Sequence, residues 1–366
     1  MTAVTKPLRA IAELSDAQLV KPDRLAALEQ VAARYAVAIT PAIAGLIDRD
    51  DPTDPVARQF VPDIRELDLH HQENSDPIGD DAHSPVEGIV HRYPDRVLLK
   101  LVNACAVYCR FCFRRETVGP GRAGLSRAAL AAALDYIRAT PQIWEVILTG
   151  GDPLVASPRR LKVVMAELAA IGHVKVIRVH TRLPVAAPEK ISAALVRALR
   201  TDKATFVVLH ANHARELSQA ARAACARFVD AGIPMLSQSV LLRGVNDDAE
   251  TLGALMRVLV ECRIKPYYLH HADLAPGTAH WRTTIGHGQS LMRALHGHYS
   301  GLCQPAYVLD IPGGPGKSPI GPSYLSADGC TIEDFNGRRH TYPPQSDGEK
   351  KNHAAAAAGK TAVVSN

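Results

Sequence analysis

Three of the chain's seven cysteines crowd into Cys105-Ala106-Val107-Tyr108-Cys109-Arg110-Phe111-Cys112. Their spacings are too short for a disulfide framework. They follow the apolar run 97–102, so they sit on a loop leaving a strand. A structural zinc site takes four protein ligands, whereas a cubane iron–sulfur cluster held by three thiolates keeps one iron open for chemistry. The competing reading is three reduced cysteines packed as small hydrophobes. Against it, Cys225, Cys262, Cys303 and Cys330 are scattered, which makes the triad a deliberate cluster.

A chain of 366 residues, 47% of them hydrophobic, has enough apolar surface for a large core. No apolar run reaches the roughly 18 residues that span a bilayer, and the first residues lack the apolar core of a secretory signal. With cysteines clustered rather than paired, the expectation is a cytoplasmic protein without a membrane partner. A net charge of +5 over this length is no nucleic-acid footprint.

Leu25, Leu28, Val31, Ala32 and Tyr35 fall near a 3.6-residue period, and Pro41 opens a second short helix, which together predict an N-terminal helical arm. Residues 49–87 are rich in Asp, His and Pro, with His70, His71, His83, Asp80 and Asp81. They read as a solvated loop or lid, with irregular metal-ligand spacing as the other possibility. From 97 onward, short apolar runs at 97–102, 146–148, 174–179, 205–209, 234–240 and 266–270 alternate with helical stretches at 126–139, 157–171, 188–200, 213–231, 247–262 and 287–298. Six strand–helix units predict an α/β fold with a parallel sheet, either doubly wound or barrel-like.

Polar residues gather just past the strand ends. Thr149-Gly150-Gly151-Asp152-Pro153 follows the second strand, and its glycines allow close backbone approach by a ligand. His180-Thr181-Arg182, His210, Gln238 and Asn246-Asp247 follow later strands, and each reads equally as a helix cap or a ligand contact. The stretch Asp310-Ile311-Pro312-Gly313-Gly314-Pro315-Gly316-Lys317-Ser318-Pro319 is not a phosphate loop. Ile311 stands where that motif needs glycine, and Pro319 obstructs the helix it must open. Lys317 is either a solvated loop lysine or a Schiff-base residue on a fixed loop.

The cysteine spacing, with an aromatic residue directly before the last cysteine, resembles the radical SAM signature. Asp-x-Pro-Gly-Gly-x-Gly-Lys closely resembles the pyridoxal phosphate (PLP) loop of the lysine 2,3-aminomutase family. The similarity runs from about His91 to Tyr324 and includes His91-Arg92-Tyr93-Pro94-Asp95-Arg96, Pro266-Tyr267-Tyr268, Asp273-Leu274, Trp281-Arg282-Thr283 and Ser300-Gly301. It implies a partial (β/α)6 radical SAM barrel over 91–299, preceded by an arm and loop over 1–90. A segment with the PLP lysine (300–343) and a disordered tail (344–366) follow. By the same resemblance Cys105, Cys109 and Cys112 hold a 4Fe-4S cluster, and Gly150, Gly151, Asp152, His210 and Gln238 line the S-adenosylmethionine (SAM) cavity. Lys317 carries PLP as an aldimine, with Arg92, Tyr93 and Arg96 on its phosphate, a group that suits arginine's bidentate fork.

Arg114 matches the family residue that pairs with the substrate carboxylate, and Asp273 and Asp310 match the two acids that clamp the ε-ammonium of lysine. A buried ammonium needs such partners. The implied reaction moves the α-amino group of L-lysine to the β carbon, through an external aldimine and a 5'-deoxyadenosyl radical, with an electron donor such as flavodoxin or ferredoxin. A homo-oligomer is expected. The longer family members carry a structural zinc site; Asp248 replaces its first cysteine and 344–366 contains none, so no structural zinc is expected. The alternatives are a lysine aminomutase dedicated to elongation factor P, an aminomutase for another amino acid, and a non-catalytic iron–sulfur electron carrier.

Overall fold

The computed structural model describes residues 4–122 and 124–343; the tail read as disordered lies outside them. Nine strands form one sheet in chain order: β1 (Ile89–Tyr93), β2 (Arg96–Val102), β3 (Glu145–Gly150), β4 (Val176–Thr181), β5 (Ala204–His210), β6 (Met235–Leu241), β7 (Ile264–His271), β8 (Ala306–Ile311) and β9 (Gly316–Pro319). β2 to β8 run parallel, and an antiparallel strand flanks each end. The result is a nearly closed mixed barrel of the partial TIM type. The six expected strand–helix units are present, and β1, β8 and β9 extend the sheet beyond them.

Four short helices, α1 (Ile11–Asp16), α2 (Leu25–Arg34), α3 (Pro41–Ala44) and α4 (Pro55–Phe60), make the N-terminal arm. Around the barrel lie α5 (Arg127–Arg138), α6 (Pro158–Ala169), the short α7 (Leu183–Ala186), α8 (Ala193–Ala198), α9 (Gln219–Asp230), α10 (Ala249–Glu261) and α11 (Ile285–Leu295). The longer ones begin where the sequence supplies a cap: Ser126, Ser157, Ser192, Ser218, Asp248 and Thr284 each accept a backbone N–H of the first turn. Asp248 is therefore a helix cap. In α10 the buried Leu252, Leu255, Met256 and Leu259 recur at helical spacing and face the sheet. All six residues of β3 are buried, as a strand covered on both faces requires. No helix among the described residues is long and apolar enough to cross a membrane.

The segment 49–87 departs from its reading as a solvated loop. Asp54, Glu66 and Asp80 are buried, because each acid reaches an arginine of the barrel. Glu66 accepts from Arg110 Nε at 2.9 Å and also pairs with Arg115, both on the loop that carries the cysteines. Removing one partner of a buried ion pair strands the other charge, so Glu66→Gln is expected to cost about 3–5 kcal/mol of folding free energy. A thermal unfolding midpoint equal to that of the unsubstituted chain would contradict this.

β1 and β9 do not pair through backbone bonds; side chains bridge their seam. Lys317 N donates to Tyr93 Oη at 2.6 Å, and His83 Nε2 meets the Gly314 carbonyl at 3.0 Å. Gly79, at φ +69°, lies so close to Gly313 and Gly314 that a Cβ would fall 2.6 Å from their backbone atoms.

Candidate active site

The parallel strands end around a cavity of about 680 Å³ whose lining includes every residue that the family resemblance assigned to the site: Cys105, Cys109, Cys112, Arg92, Tyr93, Arg96, Arg114, Gly150, Gly151, Asp152, His210, Gln238, Asp273, Asp310 and Lys317; Asn246 and Asp247 lie outside it. Residues more than 200 positions apart thus share one chamber.

The three cysteines are free, part-buried thiols on the loop after β2. Burial pushes Cys109 up to about 11 and raises Cys105 and Cys112 as well. No three Cys, His, Asp or Glu among the described residues converge as a single-ion cage. A cubane binds each thiolate at a different corner, so its ligands need not converge on one point. The loop is held from behind by the arm: Val107 packs into the arm's core, and Arg182 donates to Cys109 Sγ at 3.3 Å and to Gln59 at 2.6 Å.

Gly150 and Gly151 line the cavity and also meet a packing requirement that the sequence does not show. A Cβ on Gly150 would lie 2.3 Å from the Val102 carbonyl oxygen, and one on Gly151 2.2 Å from that of Ala104. The close approach they permit is that of the backbone leading into Cys105, secured by Gly151 N to Val102 O at 2.6 Å. The buried Asp152 carboxylate accepts from Thr181 Oγ1 at 2.7 Å and Arg182 N at 2.8 Å, tying β3 to β4. His210 stands edge-on to Phe111, 5.9 Å between ring centres, and Gln238 Nε2 lies 3.4 Å from His180 Nδ1. Burial holds both histidines well below their ordinary range, so the rings are neutral.

Lys317 lies on β9, the second strand of a hairpin rather than a loop, and its register partner on β8 is Asp310. Its ammonium pairs with the Asp310 carboxylate, which also faces His270 Nδ1 at 3.4 Å. Burial would raise Asp310, but the His270 hydrogen bond and the Lys317 charge outweigh it and hold the carboxyl well below its usual range. Asp273 behaves oppositely. Burial, reinforced by the Asp310 charge, lifts it to about 7.

Arg114 reaches Asp80 at 2.9 Å and Thr149 at 3.3 Å; Arg92 reaches Asp80 at 3.1 Å. Arg96 lies further out, 2.6 Å from Asp95 and stacked 3.8 Å over the Tyr93 ring. Sequence reasoning marked His180 as a helix cap or ligand contact, and the structure places it in the lining; it missed His270, and it missed Asp80 as the partner of the two arginines. Alternation along β7 carried a signal for His270, two residues beyond Tyr268 on the same face; Asp80 lies on irregular backbone and had none.

Residues 99–255 match the family model of the radical SAM superfamily, and residues 292–363 match that of lysine-2,3-aminomutase. The chain is 41% identical over 309 residues to L-lysine 2,3-aminomutase of Clostridium subterminale, covering 84% of this chain and 74% of the relative. It is 38% identical over 275 residues to L-lysine 2,3-aminomutase of Escherichia coli K12, covering 75% and 80%. Glutamate 2,3-aminomutase of Clostridioides difficile is 34% identical over 302 residues, covering 82% and 71%. Relatedness at this level and over this length makes the chain a member of the lysine 2,3-aminomutase family of radical SAM isomerases.

Proposed function

We propose that the chain converts free L-lysine to L-β-lysine, using a 4Fe-4S cluster on Cys105, Cys109 and Cys112, SAM on the open iron, and PLP on Lys317. The observation that carries this reading is that the three thiols, the lysine and two carboxyl groups line one chamber.

The residues fit these groups. Three thiolates are the soft donor set of an iron–sulfur cluster with one iron exposed. The Nε2 atoms of His180 and His210 and the Nε of Arg92 are buried without a hydrogen-bond partner among the described residues, which is what polar atoms awaiting a ligand look like. When bound, SAM supplies a 5'-deoxyadenosyl radical on one-electron reduction, and PLP supplies imine chemistry that stabilises a neighbouring radical. Arg92 and Tyr93, with Arg96 behind them, hold the phosphate, and Lys317 provides the amine that anchors PLP. His210, Gln238 and the Gly150-Gly151-Asp152 turn line the SAM side. Arg114 takes the substrate carboxylate.

At the far end the protein's own Lys317 ammonium already rests on Asp310. Once Lys317 engages PLP, Asp310 loses the ammonium that helps hold it low, and the substrate ε-ammonium takes that place. Asp273 adds a second charge only when ionised. With a value of about 7 in the free site, its neutral form dominates at lower pH. The kcat/KM for lysine is therefore expected to rise as pH increases through about 7, with a slope approaching tenfold per unit below it. Asp273→Asn removes that component and lowers kcat/KM by roughly 10–100-fold. Comparing the two pH profiles separates Asp273 from the titration of the substrate's own amine; parallel profiles would contradict the assignment.

The same two acids argue against glutamate, whose distal carboxylate would meet like charge. Anaerobic incubation of the reconstituted, reduced protein with SAM, PLP and either amino acid tests the reading by NMR. β-Lysine is expected from lysine and no β-glutamate from glutamate; preferential formation of β-glutamate would overturn it. An external one-electron donor of flavodoxin or ferredoxin type belongs to the same reading, as does a homo-oligomer, which the exposed Leu325, Phe335 and Tyr342 support.

A further inference from the structure

The two arginines given to anionic groups share one counter-ion. Asp80 Oδ1 accepts from Arg92 Nη2 at 3.1 Å, while Oδ2 accepts from Arg114 Nη2 at 2.9 Å and Nε at 3.3 Å. One arginine comes from β1 and the other from the loop two residues beyond Cys112. Nothing else among the described residues joins their guanidinium groups.

Asp80 is itself rigidly held. Its N–H donates to Asp76 Oδ1 at 2.8 Å, its carbonyl accepts from Ser84 Oγ at 2.8 Å, and the residue before it, Gly79, is wedged against the Lys317 hairpin. Arg92 Nη2 donates in addition to the Ile78 carbonyl at 2.7 Å. Arg92 nevertheless keeps hydrogen-bonding capacity, since its Nε is buried and unpartnered.

We infer that Asp80 is a positioning residue that sets the spacing between Arg92 and Arg114, and so between the PLP phosphate and the substrate carboxylate. The inference rests on the function proposed above and assigns the role to a residue that touches neither ligand. Two physical effects of Asp80 oppose one another. By Coulomb's law alone, removing its negative charge would tighten both anions on the freed arginines. If its main effect is geometric, the same removal loosens them, because charge-assisted bonds depend on alignment.

Asp80→Asn in the reconstituted holoenzyme decides between these effects. PLP affinity, read by visible absorbance titration, is expected to fall about tenfold, and KM for lysine to rise about tenfold. The change that SAM causes in the EPR signal of the reduced cluster should be unaltered, which a general structural defect would not allow. Unchanged or tighter PLP and lysine binding would overturn the inference. Asp80→Glu keeps the charge and displaces the carboxylate by one methylene, so it covers the case in which the asparagine variant does not fold. It is expected to raise KM for lysine at least about threefold with the SAM response intact, and unsubstituted behaviour would overturn the inference. Failure of the unsubstituted protein to take up PLP overturns the parent reading and this inference with it, whereas normal uptake with an indifferent Asp80→Asn overturns the inference alone.

Discussion

Cys112→Ala is expected to abolish turnover, lowering it by at least about a thousandfold. Partners one shell removed from a metal are already worth 10–100-fold, and a missing thiolate leaves a cluster corner without its protein ligand. The loss should appear first as missing iron–sulfur absorbance and a missing EPR signal after reconstitution. PLP uptake should survive, because Lys317 is held on the β8–β9 hairpin by contacts with Tyr93 and His83 that involve none of the three cysteines. Retained turnover, or PLP lost together with the cluster, would contradict the division of the chamber into a cluster side and a lysine side.

Lys317→Ala is expected to give the complementary phenotype. The cluster should assemble and respond to SAM, while borohydride should trap no PLP on the β9 peptide, as read by mass spectrometry, and turnover should fall by a factor on the order of 10³ or more. The variant also strips Asp310 of its ammonium partner. With only His270 left to oppose burial, the Asp310 carboxyl should titrate higher than before, since burial disfavours its charged form. PLP trapped at another lysine would contradict the assignment of Lys317.

The cysteine triad and the Gly150-Gly151 turn were legible from local spacing alone, because each is contiguous and has a physical reading that does not need the fold. Lys317 was not: its spacing fits a solvated loop lysine as well, and only the family resemblance marked it, as it marked Arg92, Arg114, Asp273 and Asp310. The six strand–helix units were legible for a similar reason, since fully buried strands are continuous apolar runs and the outer helices announce themselves with Ser, Thr or Asp caps. The short flanking strands were not. β9 is four residues with a proline and a glycine, so nothing in Gly316-Lys317-Ser318-Pro319 distinguishes a strand from a loop until Asp310 pairs beside it.

The acids of residues 49–87 were misread for a deeper reason. Glu66 and Asp80 are buried only because arginines 34 to 49 positions away in sequence, and Arg92, fold onto them. A polar, proline-rich segment carries no period that reports such partners, so composition suggested solvent where the fold supplies counter-charges. The glycines teach a related lesson. Their need for space was visible, but not that the backbone of the cysteine loop takes part of it.

The central claim is that the cluster side and the lysine side of this chamber act on one substrate. Its most direct measurement is anaerobic turnover of L-lysine deuterated at the β carbon, with SAM and PLP supplied, followed by mass analysis of the SAM and β-lysine recovered. Deuterium is expected both in the recovered SAM and in β-lysine, because the proposed reaction would move hydrogen between the substrate and bound SAM within the chamber. β-Lysine formed without deuterium entering SAM would contradict the claim.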